Sequence, residues 1–323
     1  MRLHQNKTLF DQAVRATAQQ KGLPEIYIEK DYWVTLALHA IFSSSIGVET
    51  VFKGGTSLSK CFGLIDRFSE DIDLVVLRKE NETNNQLTNK IKTISQVVSE
   101  VLPEVEIEGI THKRGMIRKT AHSYEKNFQG NYGQIRNVII VEATWLGSHE
   151  PFSEQTISSY IFEMMVKTGQ LKLAEEYDMQ PFVVSVLDVK RTLCEKIMSL
   201  VRFSYSDQPI ADLRSKIRHT YDIHQLLQNP AIADFFQSDD FDEMLHRVAT
   251  EDKVSFKNNN QWLKQHPVDS LFFSDLENTW DQIKSTYSGD FSFLVYGKLP
   301  NENEVFQSLW KVKNRIEKLN WSF

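Results

Sequence analysis

Residues 52–76, FKGGTSLSKCFGLIDRFSEDIDLVV, constrain the fold of this chain more than any other segment. Two adjacent glycines precede hydroxyl residues, and Asp71 and Asp73 stand one residue apart inside an apolar run. Glycine loses the most backbone freedom on folding, and a carboxylate in a buried strand is costly unless something pairs with it. Neither feature helps a core to pack, so the segment needs a compensating role.

The run DIDLVVL is apolar and β-branched enough for a strand, and this places the two aspartates on one face. Successive side chains of a strand point in opposite directions, so Asp71 and Asp73 lie together, with Cα atoms roughly 7 Å apart. The alternate residues Ile72, Leu74 and Val76 then point into a core. Two carboxylates on one rigid face suit Mg²⁺ or Mn²⁺. A pair of such ions would clamp the attacking and leaving oxygens of a phosphoryl or nucleotidyl transfer.

The glycines have a possible function in the same chemistry. Gly54 and Gly55 follow a predicted strand and precede a short helix that we expect a hydroxyl residue to start. A backbone without Cβ atoms can approach phosphate oxygens closely, and Thr56 and Ser57 bring hydroxyl groups. The spacing is not that of a P-loop. A plain glycine turn and a solvated acidic turn remain alternatives for each half alone, whereas the two halves together favour a site.

Composition limits the function classes. With 323 residues, 41% of them hydrophobic and 25% charged, the chain is an ordinary globular protein with two domains, or one core with a helical appendage. A net charge of −6 excludes a general nucleic-acid binder. Two cysteines argue against a disulfide scaffold and fit a reducing compartment. No apolar stretch reaches the length of a membrane span, so we expect a soluble, cytoplasmic protein.

The character of the sequence changes near residue 187. Strands and helices are both predicted in residues 1–187, where MIRKTAHSY and RNVIIVEATWL alternate like neighbouring antiparallel strands. Residues 188–323 contain mainly segments of helical period. We therefore predict an α/β front domain and a helical C-terminal domain, divided between 187 and 188.

Two adjacent glycines, a short helix and an acid-x-acid strand resemble the signature of the nucleotidyltransferase superfamily with the polymerase-β-like fold. The longer form here is similar to the AbiEii/AbiGii toxin branch, which is related to the mycobacterial MenT toxins. The matching segments are FKGGTSLSK, RFSEDIDL, IEKDYWVTLAL (28–38), TLCEKIMSLVR (192–202) and RHTYDIHQL (218–226). The resemblance implies an α+β fold with a mixed sheet in a nucleotidyltransferase core, followed by an all-helical domain that contributes Lys196 and Asp222 to the site.

Spacing alone gives Lys196 and Asp222 ordinary explanations. Lys196 lies at the edge of an apolar helical stripe, where a lysine usually extends to water. Asp222 can pair with Arg218 one helical turn earlier. The resemblance implies instead that Lys196 neutralises charge on nucleotide phosphates and that Asp222 orients or deprotonates the acceptor.

Three further residues are candidates for the same site. Arg67 can hold a carboxylate or a phosphate in a bidentate manner, and Ser69 can bind a phosphate or cap a turn. Glu142 interrupts an apolar strand, so it is either a third metal ligand beside Asp71 and Asp73 or an edge-facing glutamate on an antiparallel sheet.

The function that these expectations imply is metal-dependent transfer of a nucleotidyl group from a nucleoside triphosphate to RNA, with the tRNA 3′ end favoured. A cognate antitoxin would regulate the toxin. Residues 112–136 are basic, with Tyr124, Phe128 and Tyr132 interleaved, and form either an RNA-binding patch or a solvated hairpin. Two alternatives remain open: the same core acting on a protein or a small molecule, and a non-catalytic nucleotide-binding protein.

Overall fold

The computed structural model describes residues 1–69, 71–129, 136–147, 149–256 and 259–323. These residues form two compact units. The first comprises Met1–Phe62 and Phe68–Val186, and the second comprises Gly63–Arg67 and Leu187–Phe323. The predicted domain boundary between 187 and 188 stays a prediction, and the grouping of the short segment 63–67 with the C-terminal helices was not foreseen.

The first unit contains helices and a mixed sheet. Its helices are α1 (Lys7–Lys21), α2 (Glu25–Phe42), α3 (Gly54–Lys60), α4 (Asn84–Ser99), α5 (Tyr160–Lys167) and α6 (Leu171–Glu176). Its strands are β1 (Thr50–Lys53), β2 (Asp71–Val76), β3 (Glu104–Val105), β4 (Ile117–Ser123), β5 (Val138–Thr144), β6 (Phe152–Ile157) and β7 (Phe182–Leu187).

The seven strands lie in the order β3-β4-β5-β2-β1-β7-β6. β2 is antiparallel to β1 and parallel to β5, and β1 is parallel to β7. β4 and β5 are antiparallel neighbours, as their alternating sequences predict. The predicted α+β fold with a mixed sheet is therefore confirmed.

Strand β2 lies inside the sheet and has two chemically different faces. Ile72, Leu74 and Val76 are buried and belong to a core that also includes residues of α2 and α4. This matches the prediction from strand periodicity. The opposite face of the same strand carries Asp71 and Asp73, so packing of the core fixes where the acids point.

Helix α3 begins earlier than the sequence predicts. Its first residue is Gly54, and the preceding Lys53 is extended and makes no side-chain cap. Gly54 has a φ of +81°, a conformation that glycine adopts without steric cost. The chain therefore turns directly from β1 into α3 at this glycine, and the expected hydroxyl residue does not start the helix.

The second unit is built from helices. They are α7 (Val189–Phe203), α8 (Pro209–Ser215), α9 (Ile217–Gln228), α10 (Pro230–Gln237), α11 (Asp239–Ser255), α12 (Leu271–Ser274), α13 (Leu276–Ser288) and α14 (Glu302–Ile316). Segment 63–67 joins them through an isolated bridge between Arg67 and Val295, and Asp66 N donates to the Tyr221 hydroxyl at 3.2 Å. No helix in the described ranges is long and apolar enough to cross a membrane.

Candidate active site

Four charged residues form one row across the middle of the sheet. Asp73 of β2 is paired in register with Glu142 of the parallel strand β5 and with Lys53 of β1. Lys119 of β4 is paired with Glu142, and their side chains form a salt bridge of 3.0 Å. Glu142 therefore lies on an interior strand beside Asp73, and not at an edge of the sheet.

Within this row, the pKa of Asp73 is shifted by its surroundings. Burial, followed by the negative charges of Glu142 and Asp71, raises the pKa of Asp73 to about 7, although Lys53 and Lys119 act in the opposite direction. Carboxylates that crowd one another retain a proton or bind a cation. We call the side of the sheet that carries Asp71, Asp73 and Glu142 the acidic face. A cation bound there would be stabilised by these carboxylates.

Gly54 and Asp73 lie directly against each other, so the glycine pair and the acid pair of the motif meet in the structure. A Cβ atom built on Gly54 would lie 2.1 Å from Oδ2 of Asp73, closer than any real side chain can approach. The residue also has the positive φ noted above. Glycine is therefore required here for two reasons, and the bend into α3 lies directly against the second carboxylate of β2.

The hydroxyl groups that follow the glycines serve the local structure. Thr56 Oγ1 donates to the carbonyl oxygen of Asp71 at 2.5 Å and lies 2.8 Å from Ser69 Oγ. Ser57 Oγ donates to the carbonyl oxygen of Gly54 at 2.9 Å. The bonds of Thr56 connect α3 to the start of β2, and the bond of Ser57 lies within α3. The expected contacts of Gly55, Thr56, Ser57 and Ser69 with phosphate stay predictions.

Arg136 lies against the acidic face, and the sequence analysis did not single it out as a site residue. Its Nη1 atom lies 2.9 Å from Oδ1 of Asp71. The available signal was the basic stretch 112–136, of which Arg136 is the last residue.

Within that stretch, Phe128 is buried in the core and so is not placed to stack on a base, while Tyr132 lies outside the described residues.

A second ionic cluster lies wholly within the second unit. Both carboxylate oxygens of Asp222 accept hydrogen bonds from Arg67, whose Nε and Nη2 atoms each donate at 2.7 Å. Lys196 Nζ also donates to Oδ2 of Asp222 at 2.7 Å. All three side chains are buried, with Asp222 completely inaccessible. We call Arg67, Lys196 and Asp222 the buried ion cluster.

The electrostatics of the buried ion cluster differ from those of the acidic face. Burial alone would raise the pKa of Asp222, but the charges and hydrogen bonds of Arg67 and Lys196 hold it well below its usual range. Asp222 is therefore ionised and a weak base. Lys196 does not extend to water, and Arg67 binds a carboxylate, one of the two partners predicted for it.

Comparison with known proteins decides the family. The sequence profile described as "Nucleotidyl transferase AbiEii toxin, Type IV TA system" matches residues 37–302. The chain belongs to this family. It is a nucleotidyltransferase of the AbiEii toxin family, as the resemblance of its motifs implied.

Other comparisons add little to the assignment. A search of solved structures found MenT4, a nucleotidyltransferase toxin from Mycobacterium tuberculosis H37Rv, with 16% sequence identity and a TM-score of 0.46. That match covers 95% of this chain and 98% of that chain. A search of curated protein sequences gave no match. Membership of the AbiEii family rests on the sequence profile.

The acidic face of this AbiEii enzyme has the donor chemistry of a Mg²⁺ or Mn²⁺ site. Asp71 and Asp73 supply oxygen ligands, and the pKa of Asp73 is raised first by burial and then by the charges of Glu142 and Asp71, so a cation bound beside this carboxylate would be stabilised. Within the described residues, no set of three or more His, Cys, Asp and Glu side chains is placed to hold a metal ion. Asp71 and Asp73 fit as two ligands by the chemistry of their oxygen atoms, whereas Glu142, which forms a salt bridge with Lys119, stays a predicted third ligand.

Proposed function

We propose that this AbiEii toxin uses Mg²⁺ or Mn²⁺ to transfer a nucleotidyl group from a nucleoside triphosphate to an RNA, with the tRNA 3′ end as the favoured acceptor. One observation carries the proposal: Asp71, Asp73 and Glu142 lie on one face of the sheet, and Gly54 packs so closely against Asp73 that a Cβ atom would not fit. A rigid pair of carboxylates next to a side-chain-free bend is the arrangement that a nucleotide–metal complex needs.

In the proposed reaction, a hydroxyl oxygen of the acceptor forms a bond to the α-phosphorus, and the bond to the departing pyrophosphate breaks. A bound divalent cation would neutralise charge on the phosphate oxygens as it develops. Asp71 and Asp73 would hold that cation on the strand face. Catalysis of this kind consists mainly of positioning and electrostatic stabilisation, which the packed strand β2 is well suited to provide.

The buried ion cluster has a separate part in the proposal. We assign Lys196 to neutralising phosphate charge and Asp222 to orientation. Of the two roles that the family resemblance implied for Asp222, removal of the acceptor proton is the less favourable one. Its pKa lies well below its usual range, and both its oxygens already accept hydrogen bonds from cations.

The proposed partners follow from the reaction and the family. The substrates are a nucleoside triphosphate and an RNA, so we place the reaction in the cytoplasm, where both are abundant. A type IV toxin–antitoxin system implies a cognate antitoxin as the physiological regulator. The basic residues Arg114, Arg118 and Lys126 offer positive charge for an RNA backbone in an otherwise acidic protein.

The test is incubation of the purified protein with each α-labelled nucleoside triphosphate, Mg²⁺ and either total RNA or whole-cell protein. We expect label in RNA of tRNA size, and loss of that label in Asp73→Asn. Asp178→Asn is the matched control, because Asp178 is exposed, pairs with Arg2 and has a φ of +51° that asparagine also tolerates. Label in protein would overturn the acceptor, and undiminished transfer by Asp73→Asn would overturn the site.

A further inference from the structure

Helix α2 buries three consecutive charged residues that the proposed reaction does not use. Glu29 and Lys30 are completely inaccessible, and Asp31 is 8% exposed. They belong to the segment IEKDYWVTLAL, one of those that carry the family resemblance. Buried charges are costly unless they are paired or hydrogen-bonded, so each of the three needs a specific partner.

Glu29 and Lys30 bind the backbone of one region of the chain. Glu29 accepts hydrogen bonds from the N–H groups of Asn127 at 2.8 Å and Phe128 at 3.3 Å. Lys30 Nζ donates to the carbonyl oxygen of Val138 at 2.7 Å and to that of Arg136. The buried ammonium of Lys30 thus fixes the backbone at the point where strand β5 begins.

Arg136 contacts both Lys30 and the acidic face. Lys30 holds its carbonyl oxygen, and its guanidinium lies 2.9 Å from Oδ1 of Asp71. We propose that Arg136 is the resident counter-ion of Asp71 in the metal-free enzyme, and that Lys30 is a positioning residue that holds Arg136 in that place. The inference deepens the proposed function and rests on it.

The counter-ion has a consequence for substrate binding. A divalent cation ligated by Asp71 needs the carboxylate that Arg136 occupies, so the two cations compete. The Arg136 side chain is 37% exposed and has room to move away. A guanidinium released from Asp71 is a bidentate donor for phosphate oxygens. The site therefore takes up its cation weakly alone and more tightly together with a nucleoside triphosphate.

A matched control exists at the end of helix α3. Lys60 is a second buried lysine, and its ammonium donates to Asp31 at 2.5 Å and to the carbonyl oxygen of Ser158 at 3.0 Å. Neither partner belongs to the region that Lys30 holds. Lys60→Met thus removes a buried ammonium, as Lys30→Met does, without disturbing the link from Lys30 to Arg136.

The test is titration of the full-length protein with Mn²⁺ in the absence of nucleotide, with free Mn²⁺ measured by electron paramagnetic resonance. We expect Arg136→Met to bind Mn²⁺ roughly tenfold more tightly than wild type, the scale of one charge-assisted hydrogen bond. Lys30→Met should reproduce most of that gain. The double variant should bind no more tightly than Arg136→Met, whereas Lys60→Met should leave the affinity unchanged.

Several outcomes separate the alternatives. Unchanged Mn²⁺ affinity in Arg136→Met overturns the counter-ion. An unchanged affinity in Lys30→Met, or an effect that adds to that of Arg136→Met, makes Lys30 a structural residue only. If Lys30→Met does not fold, Lys30→Gln, which keeps N–H donors without the charge, should give a smaller gain that is likewise absent in the Arg136→Met background. Failure of Asp71→Asn to weaken Mn²⁺ binding would instead count against the metal site of the proposed function.

Discussion

Asparagine at position 222 is expected to lower the free energy of unfolding by about 3–5 kcal/mol, the range measured when one member of a buried ion pair is removed. The substitution keeps the shape of Asp222 but removes its charge, so the buried cations Arg67 and Lys196 lose the carboxylate that both of them bind. Urea denaturation at neutral pH measures the loss. An Asp222→Asn protein as stable as wild type would show that the buried ion cluster does not form.

Two controls attribute this loss to charge. Replacing Arg67 and Lys196 with methionine and Asp222 with leucine removes every charge together, and should recover much of the stability. The pH dependence has a defined sign, because the pKa of Asp222 is lower in the folded than in the unfolded state. Its contribution is present above the unfolded pKa of about 3.9 and is lost as the pH falls towards the folded value. The deficit of Asp222→Asn should therefore be full at pH 7 and shrink below about pH 4.

Gly54→Ala is expected to reduce nucleotidyl transfer by roughly 10²-fold or more, because a displacement of about 1 Å in a catalytic group costs that much. The new Cβ atom would lie 2.1 Å from Oδ2 of Asp73, so the carboxylate or the start of α3 has to move. The φ of +81° adds backbone strain. Initial rates of label transfer, compared at saturating nucleotide, measure the effect.

Gly22→Ala separates the two causes. Gly22 has a φ of +65°, and a Cβ atom there would meet no atom within 4 Å. Its replacement therefore carries only the strain of the left-handed conformation, about 1–2 kcal/mol of stability. Both variants should unfold at lower temperature than wild type, but only Gly54→Ala should lose transfer. A fully active Gly54→Ala enzyme would contradict the close approach of Gly54 to Asp73.

The features that the sequence predicted correctly are those with a local periodicity. Alternation along β2 placed Asp71 and Asp73 on one face and Ile72, Leu74 and Val76 in the core, because a one-residue shift would bury the acids. Alternation also paired β4 with β5, and helical period identified the helices after residue 188. The expected contact of Gly54 with phosphate stays a prediction, and what the sequence did not predict is that a Cβ atom built on Gly54 would lie 2.1 Å from the Asp73 carboxylate.

The features that the sequence did not predict are contacts between distant positions. Arg67 and Asp222 are 155 positions apart, and the spacing around Asp222 suggested only the neighbouring Arg218. Arg136 reaches Asp71 across 65 positions and belongs to no regular element. Glu29 and Lys30 bind backbone atoms, and backbone partners leave no pattern of side chains for periodicity to detect.

The most direct test of the acidic face is a crystal structure of the protein with Mn²⁺ and a non-hydrolysable nucleoside triphosphate. The account predicts an anomalous manganese peak roughly 2.1 Å from carboxylate oxygens of both Asp71 and Asp73, with the phosphates on the same face of the sheet. The peak should disappear in Asp73→Asn. A nucleotide and its ion bound elsewhere, with both aspartates unligated, would contradict the assignment of β2 as the catalytic strand.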